Sequence, residues 1–151
     1  VSGYALLRES SRAAAFAWLD AARAAGARTV VDPASAVPLA AAVAVFERVR
    51  CDLLLPNAAE ADVLGAERMR TIAAEVVVTR GADGASWSDG VRDLHVAAAP
   101  AAVVDTTGAG DAFAAGFLSD WARGPDAALA TGVGWAAQAV SAMSSRPAGS
   151  H

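Results

Sequence analysis

The chain has 151 residues, 16 of them acidic and 12 basic, for a formal net charge of −4. Hydrophobic residues make up 55% of it, too many for a disordered segment, and a chain of this length suggests one domain with a real core. No basic cluster appears, which argues against nucleic acid as a partner, and the single cysteine, Cys51, excludes an internal disulfide framework and fits a reducing cytoplasm.

Arg8, Glu9 and Arg12 interrupt the N-terminal region, so no signal peptide is expected. Residues 10–25 read as a helix, Ala-rich, with Phe16, Leu19 and Arg23 spaced for one face and Gly26 as the stop. Residues 29–31 read as a buried strand. Asp32-Pro33 ends it, because Pro removes a ladder donor and starts a turn. Residues 38–50 read as a second helix. Residues 52–55 form a short apolar strand closed by Pro56, and Cys51 just before it reads as a small core residue.

Asn57-Ala-Ala-Glu60 has the spacing of a capping box, with Asn at N-cap and Glu at N3 of a helix. Leu64-Gly65 ends that helix, and residues 66–73 form a short one. Residues 75–79 are the next strand. Its run Val76-Val-Val78 is apolar throughout, which suggests a strand covered on both faces, as in a parallel sheet. Arg80-Gly-Ala-Asp-Gly84 reads as a turn that uses Gly for positive φ. Residues 85–88 and 91–96 then pair as an antiparallel hairpin around Asp89-Gly90.

Residues 97–102, with Pro100, lead into an apolar run at 101–104 that reads as a strand end. Residues 109–122 and 125–143 read as two helices separated by Arg123-Gly124. The uncharged run 127–145 is long enough to raise the membrane question. Gly132, Gly134 and Gln138 make it only weakly apolar, so a buried helix is expected and no membrane partner. His95 and His151 stand alone, without metal-ligand spacing. Strands alternate with helices through most of the chain, so the class is α/β with a mainly parallel sheet flanked by helices.

The stretch that carries chemistry is Asp105-Thr-Thr-Gly-Ala-Gly-Asp-Ala-Phe-Ala-Ala-Gly-Phe117. A strand, a Gly-rich turn and a helix N-terminus make an anion site: glycines let the backbone approach a phosphate, and free N–H groups point at it. Asp111 lies where that helix begins. It either caps the helix or acts as a general base beside a phosphate cradle. A P-loop is excluded, since it needs Gly-Lys-Ser/Thr and the chain has no lysine. A dinucleotide fingerprint needs a small residue where Phe113 stands.

The stretch closely resembles the signature of the ribokinase-like (PfkB) carbohydrate kinases. The resemblance implies that Gly108, Ala109 and Gly110 form the anion hole and that Asp111 is the catalytic base. It also implies that Asn57 and Glu60 place Mg²⁺ and the phosphates, Glu60 through water, and that Thr79, Gly81 and Gly84 lie near the nucleotide. Asp105 and Thr107 match positions beside a monovalent cation, K⁺ for instance, and the tail 144–149 resembles the loop that closes the adenine pocket. Where the family often has Asp-Pro-Asn and a following Arg, this chain has Asp32-Pro-Ala-Ser.

The resemblance runs from Ser2 to Gly149 and corresponds to the C-terminal half of the family, residues 1–151 being its nucleotide-binding and catalytic portion. The N-terminal half, with the sugar motif and the β-sheet lid, is expected to be absent. The implied activity is ATP-dependent phosphorylation of a sugar or nucleoside hydroxyl in the cytoplasm. Alternatives are a nucleotide-binding fragment or interaction module without catalysis, and a split product. Its partner would be a separate N-terminal half, or the chain would form a homo-oligomer over its uncovered surface.

Overall fold

The computed structural model describes residues 1–102 and 105–142. Five strands form one sheet in the order β1 (Val30–Val31), β2 (Cys51–Leu54), β3 (Ala73–Thr79), β4 (Ala85–Ser88) and β5 (Asp93–Val96). The first three are parallel, with Val31 opposite Leu54 and Leu54 opposite Val76. Val31, Leu53, Leu54 and Val77 are fully shielded from solvent, as apolar runs covered on both faces require. The loops at residues 80–84 and 89–92 are too short for a crossover, so β4 and β5 turn back and the sheet is mixed. This is the expected α/β class, with helices flanking the sheet.

The chain forms two compact units. One comprises Val1–Thr79 and Trp87–Asp93, the other Arg80–Ser86 and the chain from Leu94.

In the first unit, α1 (Gly3–Leu7) and α2 (Glu9–Ala24) precede β1. Ala15 and Leu19 give α2 its buried face. Arg23, expected on that face, is exposed near the end of the helix, 3.6 Å from Asp20. Gly26 ends the helix region with φ of 72°, as its type predicts.

The helix expected over 38–50 is instead two, α3 (Ala36–Ala41) and α4 (Val43–Phe46). The break is at Ala42, with φ −138° and ψ 30°. Neither Gly nor Pro marks it. Leu39, Phe46 and Val49 all enter the core with no solvent exposure, so burial and not local propensity shapes this segment.

α5 (Ala58–Leu64) and α6 (Ala66–Ile72) follow β2 and meet at Gly65, φ 75°. Thr29 and Asp52 lock the starts of β1 and β2: the Thr29 N–H and hydroxyl donate to Asp52 Oδ2 at 2.6 and 2.8 Å. Those bonds, the backbone one foremost, hold the Asp52 carboxyl below its ordinary value. Cys51 is half-buried in the core, and burial pushes its thiol up to about 12, so it stays protonated.

One non-glycine residue here has positive φ: Ala34, at 80°. Its N–H donates to Asp32 Oδ1 at 2.6 Å, which holds the turn after β1. A side chain in this region costs about 1–2 kcal/mol, and glycine returns roughly 0.5–1 of that as unfolded-chain entropy. Ala34→Gly is therefore expected to stabilise the protein by up to about 1 kcal/mol in a denaturant melt. A lowered midpoint would mean that the turn carries no such strain.

In the second unit, α7 (Ala109–Asp120) packs against α8 (Pro125–Ala142). The two approach closely where side chains are missing: a Cβ on Gly116 would stand 2.9 Å from the Thr131 carbonyl oxygen, and one on Gly132 2.9 Å from the Phe113 ring. Phe113 and Phe117 stack at 6.1 Å between ring centres. The helix expected over 109–122 ends at Asp120 and tightens into a 3-10 turn, Trp121–Arg123, before Gly124 at φ 107°. The Thr131 hydroxyl donates to Asp120 Oδ2 at 2.6 Å and ties α8 to that end.

Ala128, Leu129 and Val133 of α8 are buried, as expected of a packed helix. Among the described residues no helix is long and apolar enough to cross a membrane. Residues 101 and 102 are irregular; the rest of the strand expected there, Val103 and Val104, and the tail 144–149 lie outside the described residues.

Candidate active site

Parallel strands bring their carboxyl ends to one edge of the sheet, where ligands bind in open α/β folds. In the first unit this edge holds Asp32 after β1, Asn57 and Glu60 after β2, and Thr79 at the end of β3. Asn57 and Thr79 form a parallel bridge, and the Thr79 N–H donates to the Pro56 carbonyl at 3.0 Å.

The capping box is complete. The Glu60 N–H donates to Asn57 Oδ1 at 3.0 Å, and the Asn57 N–H donates back to Glu60 Oε2 at 2.9 Å. The Asn57 amide adds a third bond, to Glu60 Oε1 at 2.7 Å. Each Glu60 oxygen thus has a fixed donor, and the carboxylate has one orientation. Glu60 is only 3% exposed.

Burial, and after it the charge of Asp32, pushes the Glu60 carboxyl above its ordinary value; the bonds from Asn57 pull the other way and do not restore it. Asp32 thus stands close enough to act on Glu60, a role not expected from the sequence. The signal that would find it is its place at the carboxyl end of a parallel strand.

The raised value has a testable sign. Between the ordinary carboxyl value and the higher folded one, the folded protein binds more protons than the unfolded chain. The Glu60 contribution to stability is therefore full below that window and is lost as pH rises through it. Melts of Glu60→Gln are expected to lose this fall, so the stability gap between wild type and variant narrows or reverses towards neutral pH. A pH-independent gap would remove the argument.

The second unit holds the other expected residues. Gly81 and Gly84 bracket a 3-10 turn with φ of 57° and 87°. The Arg80 N–H closes it on the Gly84 carbonyl at 2.8 Å. The Thr107 N–H donates to Asp105 Oδ1 at 2.8 Å, and this bond first of all holds the Asp105 carboxyl below its ordinary value.

Gly108 follows in the left-handed conformation, φ 79° and ψ −1°, and takes the N-cap position of α7. Asp111 is then at the third helical position, in the first turn and exposed, so the cap itself is Gly108 and not Asp111. The Ala109 N–H donates to the Thr106 carbonyl at 3.1 Å. Those of Gly110 and Asp111 lie in the first turn, where a helix has no earlier carbonyl of its own to receive them. A Cβ placed on Gly110 would meet no atom within 4 Å.

A left-handed glycine, donors in the first helical turn and an exposed carboxylate beside them suit a phosphate and a hydroxyl that must lose its proton. The model of the pfkB family carbohydrate kinases matches residues 1–149. The chain belongs to that family. Fructoselysine 6-kinase of Escherichia coli K12 is 36% identical over 95 residues, covering 59% of this chain and 36% of that one.

Among solved structures, an E. coli protein assigned as a ribokinase II, in complex with ATP and Mg²⁺, superposes with a TM-score of 0.79 at 26% identity, covering 93% of this chain and 51% of that one. Adenosine kinase from Sinorhizobium meliloti has the same fold, with a TM-score of 0.81 at 24% identity, over 92% of this chain and 47% of that one. The pfkB chain described here thus spans about half the length of the solved kinases it matches.

Proposed function

We propose that this chain is the nucleotide-binding and catalytic portion of an ATP-dependent kinase that phosphorylates a sugar or nucleoside hydroxyl. The observation that carries the reading is the start of α7, where exposed Asp111 shares the first turn with the donors that follow left-handed Gly108. Family membership and the relative solved with ATP and Mg²⁺ support it.

In this reading Asp111 takes the proton of the acceptor hydroxyl as its oxygen bonds to the γ-phosphorus and ADP leaves. The N–H groups of Gly108 and Gly110 hold the charge on the transferring group, while Ala109, expected in the same hole, has its N–H engaged by the Thr106 carbonyl. Thr79, Gly81 and Gly84 line the nucleotide. Glu60 and Asn57 hold Mg²⁺, which when bound neutralises phosphate charge. The fit is chemical: a buried carboxylate under the charge of Asp32 gains from a cation, and both its oxygens already accept from Asn57, so contact through water suits a metal that keeps its hydration. Asp105 and Thr107 lie beside a monovalent cation such as K⁺. A cytoplasmic setting goes with ATP as donor.

A second reading is that residues 1–151 bind nucleotide but do not by themselves hold the acceptor, since they match about half of each solved kinase. Phosphate transfer from Mg-ATP, measured against a panel of sugars and nucleosides with calorimetry of ATP binding alongside, separates the two. Transfer by this chain supports the kinase reading directly. ATP binding without transfer supports the second. Neither binding nor transfer would overturn both.

A further inference from the structure

We draw no further inference here: the strongest candidate, the turn after β1 where Ala34 holds a φ of 80° and the Asp32 carboxylate acts on Glu60, belongs to the site already described.

Discussion

Asp111→Asn is expected to lower phosphoryl transfer about 10²–10⁴-fold while ATP affinity and stability stay near wild type. Asparagine keeps the shape of the side chain and removes its capacity to take a proton. The position is exposed, so the exchange buries nothing and breaks no core contact. If Asp111 is the base, as proposed, the loss should fall on kcat, because a base acts in the transition state and not in ATP binding. Turnover near wild type would eliminate the base assignment. Gly110→Ala is the companion measurement in any assembly that turns over. The added methyl meets no protein atom within 4 Å, and alanine is the better helix former by up to about 1 kcal/mol. Thermal stability should hold or rise. Transfer should nonetheless fall, because the space that the methyl enters is the one assigned to phosphate. A Gly110→Ala protein with full activity would show that the phosphate lies elsewhere, whatever the result at Asp111.

The parallel part of the fold was legible because its signals are short-range and unambiguous. Val76-Val-Val78 suggested a strand covered on both faces, and Asn57 and Glu60 have the spacing that closes a capping box. Gly26, Gly65 and Gly124 marked helix ends by residue type and all have positive φ. What the sequence hid was set by contacts distant along the chain. No local signal breaks the helix at Ala42; the core positions of Leu39 and Phe46 decide it. Ala34 in the left-handed region runs against its own propensity, and only the Asp32 carboxylate makes the turn intelligible. In the candidate site the residue types and their spacing were readable, down to Gly108 and Asp111. The action of Asp32 on Glu60 was not, since it arises from two strand ends that the sheet brings to one edge.

Gly84→Ala is expected to cost about 3 kcal/mol or more, on the order of 10 °C in melting temperature, the largest effect on stability foreseen for a single methyl. Two independent penalties meet at this position. The backbone stands at φ 87° and ψ −136°, a region that side chains essentially do not enter. A Cβ built there would also overlap the Val96 carbonyl oxygen and press on the backbone at Ala97, and neither is a flexible side chain that can swing away. The relief available is to move the turn away from Val96, which would strain the bond from the Arg80 N–H to the Gly84 carbonyl. Gly81→Ala separates the two penalties. Gly81 shares the turn and has positive φ, 57°, but its Cβ would face open space. Its cost should be the conformational one alone, about 1–2 kcal/mol. Equal losses at the two positions would mean that strain in φ explains both and that the close approach to Val96 contributes nothing. A loss at Gly84 well above that at Gly81 would show that the turn is held down by backbone packing, which is what a loop needs if it is to keep a fixed distance from a bound nucleotide.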